Sequence, residues 1–255
     1  MSSYLPAASL RLLSGLVALG LATAAAAQTA SRWSVSGNLA GTSDYLFRGL
    51  SQTSQDPAMQ GGLEAAHASG AYLGAWASNV SWLSDLSSAA APVSNSLEVD
   101  AYAGWRGNLG DALKFDAGLY TYYYPGDYPG GFTKPNTTEL YVGLGWGPAT
   151  LKYSYALTDT FGFNHSDGSD YLDLSVNWEF SPGWTLNGHA GHQRIRRSSA
   201  ADYSDWKLGL TRAFDGGWSL ALAYSDSNAD RGVYTNPGGD YLGRSTGVLT
   251  LTKTF

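Results

Sequence analysis

The sequence predicts an all-β chain, a transmembrane antiparallel up-and-down β-barrel of about 12 strands. Three observations predict it. Apolar and polar residues alternate with period 2 in nearly every segment, as strands with two different faces require. Short turns rich in Gly and Pro alternate strictly with long polar connections, the loop asymmetry of outer-membrane barrels. The composition is aromatic-rich and poor in charge: 17 Tyr, 9 Trp and 32 Gly, but only 14% charged residues, where about a quarter is usual.

The chain starts with a leader. Arg11 precedes the apolar run Leu12–Ala24, and Ala25-Ala26-Ala27 and Gln28 follow. A basic start, a short apolar core and an Ala-x-Ala site form a secretory signal peptide over 1–27, leaving a mature barrel domain over 28–255. The alternative is an N-terminal anchor, but the run is shorter than the roughly 18–20 residues that cross a bilayer as a helix. Loss of Arg11, the leader's one charge, takes the formal net charge from −6 to −7. A mildly acidic chain argues against nucleic acid as a partner. The absence of cysteine excludes disulfides, thiolate metal sites and thiol catalysis.

The strands expected in order are 33–43, 60–68, 71–81, 96–107, 112–124, 137–147, 149–158, 170–180, 184–193, 203–214, 217–226 and 246–255. In 170–180, Leu172, Leu174, Val176, Trp178 and Phe180 take one face, against Tyr171, Asp173, Ser175, Asn177 and Glu179. In 96–107, Leu97, Val99, Ala101, Ala103 and Trp105 oppose Glu98, Asp100, Tyr102, Gly104 and Arg106. Aromatic residues close the apolar faces, as girdles do at membrane interfaces. An even strand count with short turns inside puts both termini in the periplasm and the long connections 44–59, 82–95, 125–136, 159–169, 194–202 and 227–245 outside. The last strand ends on Phe255, which resembles the C-terminal signal of outer-membrane proteins. Lys253 departs from it by falling on the face of Leu249 and Leu251, where it is expected to snorkel at the membrane edge.

The polar faces point into the lumen. The expected pore-lining acids are Glu64, Glu98, Asp100, Asp116, Glu139, Asp173, Glu179 and Asp205. The expected bases are Lys114, Lys152, Lys207 and Arg106. The excess of acids predicts a mild cation preference. A second reading is a paired network that stiffens or plugs the barrel, whose size lies between filled and open barrels.

Enzyme chemistry finds little support. His189 and His192 fall on opposite strand faces, and no Ser–His–acid set has converging strand positions. Asp226, Asn228, Asp230 and Gly232 resemble a calcium loop without its bidentate Glu. No enzyme activity, cofactor or metal is expected. Arg194, Arg196 and Arg197 form the most basic spot; on an outer loop they suit anionic groups of lipopolysaccharide, or serve as a solvated cluster. The remaining expected partners are outer-membrane lipids and small solutes or ions.

The densest stretch is Ser43–Gly62. The run Ser43-Asp44-Tyr45-Leu46-Phe47-Arg48-Gly49-Leu50-Ser51-Gln52 is followed by Pro57-Ala58-Met59-Gln60-Gly61-Gly62 and by Gly70–Val80. With Leu97–Gly104, Tyr120–Gly126 and Tyr203–Gly209, this resembles the TorF-type porin family over almost the whole mature chain. The resemblance implies an outer-membrane barrel acting as a porin and carries over no catalytic or ligand residues. From its position at the outer end of the first strand, Arg48 is expected to reach Glu64 or Glu98, with Asp44 and Gln52 as further polar partners. Two roles stand: a selectivity filter, or a salt bridge that locks the loop.

Overall fold

The computed structural model describes residues 32–255; the expected signal peptide lies outside the described residues. Twelve strands close into one antiparallel barrel in which each strand pairs with its neighbours in sequence, and the first pairs with the last. These are β1 (Trp33–Thr42), β4 (Ala58–His67), β5 (Ala71–Asn79), β6 (Leu97–Leu109), β7 (Leu113–Tyr123), β8 (Thr137–Trp146) and β9 (Ala149–Ala156). They continue as β10 (Asp170–Ser181), β11 (Trp184–Arg194), β12 (Tyr203–Phe214), β13 (Trp218–Ser227) and β14 (Thr246–Thr254). The strands β2 (Leu46–Phe47) and β3 (Leu50–Ser51) form a separate two-residue hairpin inside the first long loop. Closure matters energetically: backbone donors and acceptors in lipid have no water to bond, so an open edge is not tolerated. The β1–β14 ladder, from Asn38 opposite Thr254 to Thr42 opposite Thr250, removes that edge.

Period-2 alternation decides the faces. Val35, Leu39, Leu63, Leu73, Leu140, Val142, Leu208 and Leu222 are exposed on the outer wall. In water such a belt would be costly; in a bilayer it is solvated by lipid. Trp105, Trp146, Trp178, Phe214, Trp218 and Phe255 stand exposed toward the short-turn end. Tyr123, Tyr155, Trp206 and Tyr224 stand exposed toward the long-loop end. The belt is therefore bounded by aromatic residues on both sides, matching the girdles expected from the sequence. Lys253 lies in the outer face at the turn-side rim, where its ammonium donates to the Gly216 carbonyl and lies 5.7 Å from the Trp218 ring centre.

Short turns occupy 68–70, 110–112, 147–148, 182–183 and 215–217, and long loops fall between the other strand ends. Helical geometry among the described residues is confined to 3-10 turns at Ser84–Leu86, Ser199–Ala201 and Asp215–Gly217. The interior has no conventional apolar centre across its whole length. Its packed part is an aromatic cluster at the long-loop end, built on Tyr45, Val80, Leu83, Val93, Tyr122 and Tyr124.

Candidate functional site at the first loop

The first loop, 43–57, folds into the lumen. Its hairpin has Leu46 opposite Ser51 and Phe47 opposite Leu50, leaving Arg48 and Gly49 as the two turn residues. Both have positive φ, 48° and 75°. That is the sign pattern of the type I′ turn, whose twist suits a tight hairpin and whose usual residues are Asn-Gly. Gly49 is required twice over. Its backbone is left-handed, and a Cβ there would collide with the Asp205 side chain. Arg48, by contrast, pays about 1–2 kcal/mol for a left-handed backbone that Asn or Gly would adopt more easily.

The offset lies in the side chain. Arg48 Nη2 donates to Glu139 Oε2 at 2.6 Å, and Nη1 donates to Gln193 Oε1 at 2.7 Å. The two side chains of the ion pair are 7% and 3% exposed, so the charges meet out of bulk water. The guanidinium also lies 4.3 Å from the Tyr171 ring centre, 4.8 Å from that of Phe47 and 5.7 Å from that of Phe161. Arg48 thus ties the loop tip to the wall formed by β8, β10 and β11.

The loop's base is held independently. Asp44 Oδ1 accepts from Ser51 Oγ at 2.6 Å and from Thr53 Oγ1 at 3.3 Å. Burial pushes the Asp44 carboxyl above the usual carboxylate range, and those two hydroxyls pull it partly back. The Gln52 amide donates to the Tyr45 carbonyl at 2.7 Å, the Ser51 amide to Leu242 at 2.9 Å, and the Ser81 amide to Gln52 at 2.8 Å. The second and sixth long loops therefore clamp the first from outside.

The expected partners of Arg48 need correction. Arg48 meets neither Glu64 nor Glu98, and Asp44 and Gln52 do not contact it. The type I′ turn carries the tip across the lumen toward β8 and β11, so Glu139 becomes the partner. Glu64 pairs with Arg106. Glu98 accepts from the Tyr45 hydroxyl at 3.3 Å, and Asp100 accepts from Tyr120 at 2.8 Å. Glu98 and Asp100 are 1% and 2% exposed, and each keeps one oxygen without a hydrogen-bond partner among the described residues.

The other expected lining residues divide between the wall and the turn end. Asp116 accepts from Tyr72, and Lys114 borders a turn-side cavity with Arg106 and Asp116. Glu179 lies at the turn end, where it accepts from the Gly183 amide at 2.8 Å. Lys152 and Lys207 face cavities beside the first loop. Asp173 and Asp205 flank His189, at 3.2 Å from Nδ1 and 2.8 Å from Nε2.

His189 is the residue that sequence reasoning passed over. Ser175, His189 and Asp205 come together on β10, β11 and β12, although no converging Ser–His–acid set was expected. They make no nucleophile–base pair. Ser175 donates to Asp173 Oδ1 at 2.7 Å, and both His189 nitrogens face carboxylate oxygens, leaving neither free to act as a base. Tyr171 completes the cluster, 2.8 Å from Asp205 Oδ2. Gly191 is what gives Tyr171 room: a Cβ there would overlap the phenol and lie 2.9 Å from Asp205 Oδ2. The signal for this cluster is alternation itself, since Tyr171, Asp173, Ser175, His189 and Asp205 all occupy inward positions.

The remaining marked spots are used locally. Asp230 Oδ1 accepts from the Gly232 amide at 2.7 Å, and Asn228 Oδ1 from the Ser204 amide at 2.7 Å, so the calcium-like run caps backbone donors. No group of three or more His, Cys, Asp or Glu among the described residues is arranged to hold a metal ion. Arg194 pairs with Asp170, and Arg196 pairs with Asp167 at 3.0 Å.

Around the hairpin the lumen is not filled. Cavities of about 430, 530 and 280 Å³ share walls at Tyr45, Leu46, Phe47 and Lys152. The first two reach toward the turn side through Asn177, Asn187 and Thr211 and through Ser36 and Asn38. On the long-loop side a small cavity of about 80 Å³ lies among Phe47, Trp82, Phe161, Phe163 and Tyr234. The arrangement is a chamber on the turn side and a packed cap on the loop side, with Arg48 between.

A bacterial family described as "Bacterial protein of unknown function (Gcw_chp)" matches residues 26–255. No curated protein matches the chain in sequence. Among solved structures the chain is similar to the KdgM porin, with TM-score 0.53 and 7% identity over 86% of this chain and 98% of that one. It is similar to the NanC porin with TM-score 0.54 and 12% identity, again over 86% and 98%. The KdgM porin in complex with disordered oligogalacturonate gives TM-score 0.52 at 7% identity over 87% and 98%. At such identities the likeness concerns the fold, a closed antiparallel barrel.

Proposed function

The chain belongs to the Gcw_chp family of bacterial proteins, and we propose that it is a porin-like channel of a Gram-negative outer membrane. It passes small polar solutes or ions around an inward-folded first loop. The observation that carries this reading is the chamber of adjoining cavities on the turn side, closed toward the long loops by a hairpin whose tip is held to the wall by Arg48. The fold supports it, since the structures it is similar to are named porins. The finer points belong to the same proposal: the TorF-type porin assignment, the cleaved leader, periplasmic termini and contact with outer-membrane lipids and lipopolysaccharide. So does a mild cation preference, for which the support is the surplus of acids over bases at the inward positions of the strands.

One observation favours a second reading, a barrel whose lumen stays plugged and which binds ligands through its loops. The aromatic cluster of Tyr45, Leu83, Tyr122 and Tyr124, with Trp82 and Phe161 against it, fills the loop-side mouth. Planar-bilayer recording of the refolded mature chain decides between them. Discrete conductance steps support the channel. A correctly folded barrel that shows no steps at any salt concentration supports the plug.

A further inference from the structure

The charges in the chamber are not evenly neutralised. Beside the hairpin, the cavity of about 280 Å³ is bordered by three cations, Arg48, Lys152 and Lys207, and by the carboxylates of Asp173 and Asp205. The carboxylates are engaged. Asp173 takes the Ser175 hydroxyl and faces His189, and Asp205 takes the Tyr171 hydroxyl and the other His189 nitrogen. Arg48 is answered by Glu139. The two lysines are not. Neither Lys152 nor Lys207 has a carboxylate at ion-pair distance among the described residues.

Lys152 shows that this is not for lack of a neighbour. It stands directly opposite Asp173 across the β9–β10 ladder, yet its ammonium lies 4.4 Å from the Tyr141 ring centre instead of on that carboxylate. Lys207 stands opposite His189 across β11–β12. The histidine has taken both acids, so it leaves the ammonium groups as donors without an acceptor. Lys152 is half-buried and Lys207 is exposed to the lumen, and a charged donor gains most from an ionised acceptor. The same wall adds the hydroxyl of Ser154 as a neutral donor.

We propose that this cavity is a binding site for a small organic oxyanion, a polyvalent carboxylate above all, held between Lys152 and Lys207. Its size, about 280 Å³, is just below the range of ligand pockets, about 300–1,000 Å³, which selects a compact metabolite-sized anion. The site rests on the channel reading only in that the anion reaches it through the lumen. It does not conflict with a mild cation preference for permeating salt. That preference follows the summed charge of the lumen, whereas retention of an anion follows two donors in one cavity.

The test is calorimetric titration of the refolded barrel in detergent with citrate as probe, folding being checked by heat-modifiable gel mobility. Citrate should bind saturably and less tightly as NaCl rises. Lys152→Gln and Lys207→Gln should each weaken it by about tenfold or more, as loss of a charged hydrogen bond implies. Lys152→Arg should restore most of the affinity, and Lys253→Gln on the lipid face should leave it unchanged. A folded barrel that does not bind citrate overturns the site, as does a double Gln variant that binds like the parent. Binding that persists in a barrel with no measurable conductance upholds the site and refutes only the channel.

Discussion

Replacing Arg48 with Asn should loosen the first loop while improving its turn. The two effects have opposite signs and can be weighed. Removing one partner of a buried ion pair costs about 3–5 kcal/mol, because the other charge stays buried and unpaired. Here the orphan is Glu139, whose remaining donor, the Tyr122 hydroxyl, is a distant 3.5 Å away. Against that, Asn in a left-handed position recovers about 1–2 kcal/mol of backbone strain. The net loss of about 1–4 kcal/mol raises the population of displaced loop by between roughly fivefold and nearly a thousandfold, at 1.36 kcal/mol per tenfold. Hydrogen exchange by mass spectrometry over residues 45–52 reads this directly, since the Gln52 amide is bonded to Tyr45 within the loop. Single-channel recording on the same sample should show larger or more frequent openings. Arg48→Ala should exchange faster than Arg48→Asn, because it loses the latch and keeps the strain. Adding Glu139→Gln to Arg48→Asn should slow exchange again by removing the stranded charge. Exchange in Arg48→Asn equal to that of the parent would refute the latch, and Asn faster than Ala would refute the strain argument.

Three further outcomes are expected. Asp44 binds its proton more tightly in the folded loop than in an unfolded chain, so its contribution is fully present below the ordinary carboxylate pKa of about 3.9 and is lost as pH rises through the folded value; Asp44→Asn should flatten the pH dependence of exchange over 45–52 in that acid window, and an unchanged profile would remove Asp44 from the account. Gly191→Ala should push Tyr171 off Asp205 and lower the melting temperature of the heat-modifiable form, by overpacking of about 1–3 kcal/mol; a parental melting temperature would show that the glycine is not a socket. His189→Ala should strip Asp173 and Asp205 of their shared partner and draw Lys152 or Lys207 toward them, so citrate affinity should fall although neither lysine is altered; unchanged affinity would separate the histidine from the site.

The barrel was legible because lipid and lumen impose opposite demands on alternate residues. Leu172, Leu174 and Trp178 could only face out, and Tyr171 and Asp173 only in. The expected twelve strands close as a barrel, with ends shifted by no more than about three residues. Pairing across the lumen was not legible in the same way. Arg48 is 91 residues from Glu139 and 145 from Gln193, and nothing in a strand's own pattern says which wall a loop leans on. The wall acids nearest in sequence, Glu64 and Glu98, were therefore the natural but incorrect choices.

A local signal was nevertheless present in Phe47-Arg48-Gly49-Leu50. An X-Gly pair between apolar residues is a hairpin turn, and the residue before Gly must then take positive φ. Asn or Asp fits that position at little cost; Arg does not. A costly residue at a position where a cheap one exists calls for a compensating contact, and a buried carboxylate with an amide beside it is what the structure supplies. The same reasoning orders the two roles open to Arg48. A filter needs its charge turned to the passing solute, but this guanidinium is covered by Tyr171, Phe47 and Phe161 and bonded on both terminal nitrogens. Arg48 therefore holds the loop, and the unpaired cations beside it are Lys152 and Lys207. The variants can separate these roles: removing Arg48 should act on how often the path is open, whereas removing the lysines should act on what is retained inside it.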